Sequence, residues 1–230
     1  MPKKIFVVAK IAQTLDGKIA TASGESKWIT SGETRQFARR RRDGFDAILV
    51  GSNTALKDNP LLTGVKNKIL KKIIVDTNLL ISPKANLFKN TRLGQCIIAV
   101  TSKAPTKRIK FFKNKGVIIC VCRSTQGRID LKDLFKKLSA LGIKKILIEG
   151  GAKMVGAALK AGLVDAVNIY LSPSIMGDRK ALSSVVGFNI NNLNKMLKLT
   201  NLKIQRISTD ILIEAHVHPV AAKGAGFLKG

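Results

Sequence analysis

The chain has 230 residues, and its 41 lysines and arginines against 14 acidic residues give a formal net charge of +27. Hydrophobic residues make up 45% and charged residues 24%, a composition that is typical of folded globular proteins and excludes intrinsic disorder. No apolar run reaches the roughly 20 residues that a membrane helix needs, and the N-terminus does not resemble a signal peptide, so we expect a cytoplasmic protein without membrane contact.

The first part of the chain predicts a strand, a polar loop and a helix. Residues 5–11 are almost continuously apolar, which is typical of a strand that is covered on both faces. Residues 14–21 and 24–31 form polar, glycine-containing segments, and polar side chains just after a buried strand line a crevice. Thr30 and Glu33 have the spacing of a capping box, which predicts a helix over residues 31–43 with Thr30 as its N-cap.

The rest of the chain alternates apolar runs with helical patterns. Strands are predicted over residues 47–51, 72–76, 95–101, 116–122, 145–151 and 164–171, and helices over residues 107–115, 129–141 and 151–162. This alternation predicts an α/β fold with a mixed, mostly parallel central sheet and helices on both faces. Two further runs predict a C-terminal antiparallel hairpin over residues 197–207 and 210–217. We expect one domain over residues 1–217 and a frayed tail over residues 218–230.

A glycine pair connects one of these strands to the helix that follows it. Gly150 and Gly151 come directly after the carboxylate of Glu149. A strand, a glycine pair and a helix start expose backbone N–H groups at the positive end of a helix dipole, which favours phosphate. The pair alone is a weak indication, because a tight strand-to-helix turn needs glycine in any case.

The cysteines and histidines do not indicate a metal site. Cys96, Cys120 and Cys122 lie in apolar, strand-like runs, where a thiol acts as a small hydrophobic group, so we expect all three in the core. Cys120 and Cys122 share one face of a strand, but no further ligands keep zinc spacing with them. We interpret the segment with His216 and His218 as the end of a strand and not as a fortuitous metal-binding pair.

Five segments, taken in order, resemble one family. They are T-L-D-G-K-I-A-T, G-E-S-K-W-I-T-S, the helix that ends in Arg42, G-S-N-T-A-L-K-D-N-P-L-L-T and E-G-G-A. Together they resemble the reductase domain of riboflavin biosynthesis, the RibD/RibG C-terminal type, over residues 5–215. The resemblance implies a dihydrofolate-reductase-like fold and NADPH-dependent reduction of the ribosyl group of 5-amino-6-(5-phosphoribosylamino)uracil to the ribitylamino product. It also implies a homodimer.

The resemblance implies a role for each residue that matches the motifs. The implied NADPH-binding residues are Ala12, Trp28, Thr54, Asp58, Thr77, Gly151, Ala152, Lys153, Met154, Val155, Gly156 and Ala157. The implied substrate-binding residues are Ser26, Arg42, Leu62 and Glu149, and the implied catalytic residues are Lys10, Asp58 and Glu149. A cation inside an apolar strand is costly, so Lys10 is expected to position Glu149 or Asp58, or to protonate the ring oxygen during sugar opening.

Several of these residues have a structural alternative. A single tryptophan such as Trp28 is more often a core plug than a stacking platform. Asp58 can simply initiate the turn at Asn59 and Pro60. We expect Arg42 to hold a phosphate bidentately and Glu149 to face a ligand. The three arginines before Arg42, at positions 39–41, are expected to face water.

The chain departs from the family pattern in two ways. An arginine usually follows the L-T pair by two or three residues, whereas this chain has Gly64, Val65 and Lys66, so Lys66 or Lys68 is the expected substitute. The H-x-E and P-C-x-x-C motifs of a deaminase are absent, so we expect another chain to supply the deaminase. For the 2′-phosphate of NADPH, residues 101–103, Thr-Ser-Lys, form a plausible cradle beside a strand end.

Other functions stay open at this point. Reduction can act on the 2,5-diamino-pyrimidinone phosphate before deamination, or the chain can be a dihydrofolate-reductase-like oxidoreductase with another substrate. The high positive charge is also compatible with a basic nucleic-acid-binding protein. The lysines are scattered, however, and only 5% of residues are aromatic, so we expect at most weak, non-specific nucleic acid binding.

Overall fold

The structure is a computed structural model that describes residues 4–65, 69–89, 92 and 94–218. Within these residues the central sheet has nine strands in the order β12-β13-β10-β1-β9-β3-β4-β5-β6. The strands of this sheet are β1 (Phe6–Thr14), β3 (Ala47–Gly51), β4 (Lys71–Val75), β5 (Cys96–Val100), β6 (Ile118–Val121), β9 (Lys145–Glu149), β10 (Ala166–Ser172), β12 (Leu199–Ile207) and β13 (Asp210–Val217). Two small pairs join β2 (Lys18–Ala20) to β11 (Leu182–Ser183) and β7 (Ser124–Thr125) to β8 (Arg128–Ile129).

The direction of the strands confirms the predicted fold class. The strands from β10 to β6 run parallel, whereas β13 is antiparallel to β10 and β12 is antiparallel to β13. The sheet is therefore mixed and mostly parallel, with the C-terminal hairpin at its edge, as the sequence predicts. The described helices are α1 (Gly32–Arg41), α2 (Ser52–Lys57), α3 (Thr106–Asn114), α4 (Leu131–Ala140) and α5 (Ala152–Lys160).

Helices cover the parallel sheet on both faces. On one face, apolar side chains of α4 and α5, such as Leu134 and Ala158, pack against Ile73 and Ile97 of the sheet. On the other face, α2, α3 and the loops after β4 cover a second core that contains Phe112. Cys96, Cys120 and Cys122 are buried, which confirms their prediction as core residues.

Two local predictions are wrong at the level of single residues, and one short helix is not predicted. The N-cap of α1 is Ser31 and not Thr30, because the Ser31 side chain accepts a hydrogen bond from the Thr34 backbone N–H. The helix predicted over residues 129–141 is α4, which begins at Leu131 because Asp130 is its N-cap. The short helix α2 follows β3 in a segment for which the sequence analysis predicts no element.

The C-terminal hairpin is connected to the start of α1. The buried carboxylate of Asp210 accepts a hydrogen bond from the Ser31 backbone N–H at 2.8 Å, and the Thr34 hydroxyl donates to the Ile207 carbonyl at 3.2 Å. These contacts orient α1 so that its last turn lies beside the sheet. The expected tail lies outside the described residues from position 219 onward. No helix in the described part of the chain is long and apolar enough to cross a membrane.

Candidate active site at the carboxyl ends of the parallel strands

The functional candidates come together where the central parallel strands end. In open α/β sheets, ligands bind in the crevice beyond the carboxyl ends of the strands. Here β9 ends at Glu149 and leads through two glycines into α5, while its neighbour β3 ends at Gly51 and leads directly into α2. The site is therefore assembled from the ends of adjacent strands and the last turn of α1.

Arg42 and Glu149 form a bidentate ion pair at the centre of this region. The Arg42 Nε and Nη2 atoms donate to the two carboxylate oxygens of Glu149 at 2.7 and 2.8 Å, and Nη1 donates to the Thr63 carbonyl at 2.8 Å. The two side chains are only 19% and 12% exposed. The Nε and Nη2 edge of the Arg42 guanidinium, which a bidentate phosphate contact would use, therefore binds Glu149 in this structure.

Lys10 lies beside this ion pair. Lys10 on β1 is paired with Glu149 on the adjacent strand β9, and its ammonium lies 5.6 Å from the centre of the Tyr170 ring. Burial lowers the pKa of Lys10, the Glu149 charge opposes that shift, and the Arg42 charge adds to it. For Glu149, burial favours the neutral acid, but the charge and hydrogen bonds of Arg42 and the charge of Lys10 hold its pKa below the ordinary value. Glu149 is thus a charged carboxylate between two cations.

The buried Tyr170 phenol completes this charged region and was not singled out from the sequence. Burial raises the pKa of Tyr170 to about 12; the charge of Arg41 opposes the shift, whereas those of Glu149 and Glu214 add to it. Arg41 forms an ion pair with Glu214 on β13, so the expectation that Arg41 faces water is wrong. Tyr170 lies in the mostly apolar strand β10, and this sequence pattern does not indicate that its hydroxyl is close to charged groups.

The glycine pair after Glu149 is in close contact with Thr54. Gly150 and Gly151 have φ angles of +93° and +74°, which favour glycine. A Cβ added to Gly150 would lie 3.0 Å from Thr54 Cγ2, and one added to Gly151 would lie 3.4 Å from Thr54 Oγ1. A Cβ added to Gly51 would lie 3.8 Å from Met154. These contacts bring two of the sequence-derived cofactor candidates, Thr54 and Met154, to the same strand ends.

The start of α5 has the properties that a phosphate requires. Gly151 is its N-cap and makes no side-chain capping bond, so the first-turn N–H groups of the helix have no side-chain cap. Ala152 is partly exposed and Lys153 is exposed. Val155 and Gly156, in contrast, are buried, and a Cβ added to Gly156 would overlap the Val186 backbone oxygen. Among the residues expected at the cofactor, these two pack inside the protein, while the exposed Ala157 lies one turn into the helix.

Asp58 lies near two lysines, Lys27 and Lys57. Partial desolvation of its carboxyl raises the pKa of Asp58, although the residue as a whole is exposed, and the charges of Lys27 and Lys57 oppose the shift. A Cβ added to Gly24 would lie 3.2 Å from the Lys57 ammonium. The G-E-S-K-W segment, with its partly exposed Ser26, therefore lies next to the C-terminal end of α2.

The segment after Asp58 has an unusual backbone that the sequence did not indicate. Asn59 and Leu62 have φ angles of +42° and +51°, which are uncommon for residues other than glycine and cluster at functional sites. The Asn59 side-chain oxygen accepts from the Asn86 backbone N–H at 2.7 Å. The Leu62 side chain packs in the core, and the residue as a whole is only 3% exposed, so this implied substrate residue is covered in the structure.

Trp28 is exposed on the loop that precedes α1. It is 68% exposed, so the core-plug alternative is wrong. The Arg35 guanidinium lies 4.1 Å from the centre of the Trp28 ring, and Arg35 also donates to the Thr30 carbonyl. A planar group of the protein therefore already stacks on one face of the indole.

Two other candidates for cofactor binding lie at strand positions. Ala12 is on β1 opposite Tyr170 and is partly exposed. The Thr77 carbonyl accepts hydrogen bonds from both the N–H and the hydroxyl of Thr101, each at 3.1 Å. Thr101 is buried, so its hydroxyl already donates within the protein, and only Ser102 and Lys103 of the expected 2′-phosphate cradle are exposed.

Other candidate groups lie outside this arrangement or hold the loops around it. Asp16 of the T-L-D-G segment accepts from the Met176 and Gly177 backbone N–H groups, and a hydrogen bond from Thr14 together with these two lowers its pKa to about 2. Lys66 and Lys68 lie outside the described residues. Among the residues that the structure describes, no three or more His, Cys, Asp or Glu side chains are grouped to hold a metal ion.

Comparison with known proteins gives a consistent result along the chain. The model of the RibD C-terminal domain family matches residues 5–213. The riboflavin biosynthesis protein RibD of Actinobacillus pleuropneumoniae is 35% identical over 214 residues, which cover 92% of this chain and 57% of that protein. The 2,5-diamino-6-ribosylamino-4(3H)-pyrimidinone 5′-phosphate reductase of Methanothermobacter thermautotrophicus is 29% identical, covering 91% of this chain and 96% of that protein.

Solved structures show the same relationship. A RibD structure from Acinetobacter baumannii has a TM-score of 0.80 at 26% identity, and it covers 94% of this chain and 58% of that one. A deaminase/5-amino-6-(5-phosphoribosylamino)uracil reductase from Thermotoga maritima has a TM-score of 0.73 at 27% identity and covers 94% and 57%. The chain thus spans a little over half the length of these RibD relatives.

Proposed function

Because the chain belongs to the RibD C-terminal domain family, we propose that it is an NADPH-dependent reductase of riboflavin biosynthesis. The proposed reaction reduces the ribosyl group of 5-amino-6-(5-phosphoribosylamino)uracil to the ribitylamino product. The observation that carries the proposal is the position of Glu149. Its carboxylate is held charged by Arg42 and Lys10 and lies directly before Gly150, at the start of the turn that leads to the uncapped N-terminus of α5.

The residues at the strand ends fit NADPH. Gly150 and Gly151 let the turn pass close to Thr54, and the first turn of α5 offers N–H groups without a side-chain cap to a pyrophosphate. The exposed Lys103 is a suitable cation for the 2′-phosphate. NADPH, when bound, supplies the hydride that reduces ribose C1′. The protein's own contribution is then to bind, to orient and to manage protons.

Glu149 and Lys10 have complementary proposed roles at the sugar. Both Glu149 oxygens accept from Arg42, but each carboxylate oxygen has further acceptor capacity, which suits the hydroxyl groups of an opened ribose. Lys10 has a lowered pKa and therefore gives up its proton more readily than an ordinary lysine. We assign it the proton that the ring oxygen takes up as the sugar opens. Asp58, with a raised pKa, is the second candidate group for proton exchange, near Lys27.

A second candidate substrate is the 2,5-diamino-pyrimidinone phosphate, reduced before deamination. It is favoured by the match to the Methanothermobacter reductase, 96% of whose length is covered by the alignment with this chain. The two pyrimidines differ at the position that is deaminated and share the ribose phosphate. The groups assigned above act on the shared part, so they serve either substrate.

We also propose a homodimer, with a separate deaminase supplied by another chain. The support for the dimer comes from β12, which is the outermost strand of the sheet and is exposed along seven of its nine residues. Its Leu202 and Ile204 side chains are 56% and 69% exposed, and long apolar edge strands are usually covered. Light scattering during size-exclusion chromatography tests the dimer, which a monomer mass at micromolar concentration would exclude.

The experiment that tests the proposed activity is a direct assay with both substrates. Purified protein is mixed with NADPH and with each ribosylamino-pyrimidine phosphate, and loss of cofactor fluorescence is measured. We expect oxidation with at least one of them, a strong loss of rate in Glu149→Gln and an unchanged rate in Glu33→Gln, an exposed glutamate at the start of α1. Absence of NADPH oxidation with both, together with duplex binding that survives about 0.2 M salt, would favour a nucleic-acid-binding protein instead.

A further inference from the structure

The arginines in the last turn of α1 differ in their partners. Arg41 is paired with Glu214, and Arg42 is paired with Glu149. Arg39 instead donates from Nη2 to the Thr63 hydroxyl at 3.1 Å. Among the residues that the structure describes, no ion pair involves Arg39. Arg39 is therefore a cation at the site whose charge no acidic side chain balances.

Arg39 and Arg42 meet at the same residue. Arg39 lies in the last turn of α1, and Arg42, three residues later, is its C-cap with helical backbone angles, so the two side chains lie on one face. Arg42 Nη1 donates to the Thr63 carbonyl and Arg39 Nη2 donates to the Thr63 hydroxyl. The unbalanced guanidinium is thus held next to the Arg42 and Glu149 ion pair, through the residue that follows Leu62.

The backbone that carries Thr63 is itself held in place. A Cβ added to Gly64 would overlap the Asp43 carboxylate, and that carboxylate accepts from the Val65 backbone N–H at 3.3 Å. On the other side, Leu62 is anchored by its buried side chain. Thr63 is therefore a fixed acceptor, and it restrains the exposed Arg39 side chain in one direction.

We propose that Arg39, restrained by Thr63, binds the phosphate of the ribosylamino-pyrimidine substrate. The inference rests on the proposed function, because that function supplies a phosphate monoester. The charge of Arg42 is balanced by Glu149, so Arg42 offers little net attraction to a dianion, whereas Arg39 keeps its full charge. A guanidinium has five donors, and Arg39 uses one of them on Thr63, which leaves a planar pair for two phosphate oxygens.

The test compares variants of two neighbouring arginines on two substrates. Arg39→Gln and Arg39→Lys are compared with Arg40→Gln, which removes the same charge from an exposed neighbouring position. Initial rates of NADPH oxidation are measured with the phosphorylated substrate and with its dephosphorylated nucleoside. We expect Arg39→Gln to raise KM for the phosphorylated substrate about 10- to 100-fold, Arg39→Lys to raise it less, and Arg40→Gln to leave it unchanged.

The nucleoside separates phosphate binding from a structural effect. If Arg39 binds the phosphate, Arg39→Gln does not change KM for the nucleoside. An equal increase of KM for both substrates would show that Arg39 only positions the Thr63 segment, and a wild-type KM for the phosphorylated substrate in Arg39→Gln would assign the phosphate to another cation. Either result overturns the inference, while the activity of the wild-type protein still supports the proposed function.

A binding measurement tests the phosphate site separately from the proposed reaction. Ribose 5-phosphate is titrated into the wild-type protein, Arg39→Gln and Arg40→Gln, and its binding is followed by calorimetry. Suppose that the wild-type protein oxidises no NADPH with either pyrimidine but binds ribose 5-phosphate, and that Arg39→Gln weakens this binding whereas Arg40→Gln does not. This result would support the phosphate site and contradict the proposed reaction. Equal binding to all three proteins, or binding to none, overturns the role of Arg39 whatever the activity.

Discussion

Removal of the Glu149 charge is expected to cost both stability and activity. Glu149→Gln keeps the shape of the side chain and one oxygen that can accept from Arg42, but it removes the charge that balances Arg42 and Lys10. The pair is bidentate, with distances of 2.7 and 2.8 Å, and its side chains are 19% and 12% exposed. The variant therefore leaves two adjacent cations in a poorly hydrated position.

The magnitude follows from this geometry. Breaking a fully buried ion pair by removing one partner costs about 3–5 kcal/mol. Because some water reaches this pair and glutamine retains one acceptor, we expect the free energy of unfolding to fall by about 2–4 kcal/mol in Glu149→Gln. Arg42→Met should cost a similar amount, because it leaves the carboxylate of Glu149 unbalanced on that side. In the double variant neither charge remains, so its cost should be about 2 kcal/mol less than the sum of the two.

Urea unfolding followed by circular dichroism measures the differences in the free energy of unfolding between these variants. The comparison is valid if all variants have the same m-value. A coupling energy below about 0.5 kcal/mol would refute the reasoning, because it would mean that the ion pair contributes no more than an exposed one.

The pH dependence gives an independent check. The folded pKa of Glu149 lies below its ordinary value of 4.5, so the stabilisation is fully present above that pH and is lost as the pH falls through the folded pKa. The acid side of the stability profile should therefore be flatter in Glu149→Gln than in the wild-type protein.

Three further changes probe other parts of the structure. Lys10→Met should raise stability at neutral pH, because the lowered pKa of Lys10 shows that burial of this charge is unfavourable. It should also lower kcat of the proposed reaction, and with the wild-type protein kcat should fall as the pH rises through that pKa. Gly156→Ala should destabilise the protein by about 1–3 kcal/mol through overlap with Val186, whereas Gly44→Ala, with open space around it, should change stability by less than about 0.5 kcal/mol in the same urea assay. Lys103→Gln should reduce the ratio of kcat/KM with NADPH to that with NADH, and an unchanged ratio would remove Lys103 from the 2′-phosphate site.

Much of the fold could be predicted because its evidence is local. Continuous apolar runs such as Ala47–Gly51 and Cys96–Val100 indicate strands covered on both faces, and their alternation with helices indicates a parallel sheet. The hairpin over β12 and β13 was also recognisable from its two runs and short turn. The ends of elements were less certain, because a cap depends on one side-chain hydrogen bond, and both Thr30 and Ser31 are of a type that can provide it.

The electrostatics of the site could not be predicted in the same way. Arg42 and Glu149 are 107 residues apart, and nothing local in the sequence indicates that they bind each other. Each is separately a candidate for a ligand by its residue type and place, and the structure shows that the two bind each other through two hydrogen bonds. The positive φ angle of Leu62 could not be predicted from the sequence either, because leucine does not favour this conformation.

The hydrogen bonds of the motif residues divide them into two groups. Asp16 and Asn59 accept hydrogen bonds from backbone N–H groups of other loops and hold those loops in place. A shared motif does not distinguish such residues from those that contact a ligand, since both kinds are required for the same site. The distinction comes from the donors and charges that the protein leaves unbalanced. By that criterion the uncapped N–H groups of α5 and the guanidinium of Arg39 are the groups to which we assign the charge of bound anions as proposals.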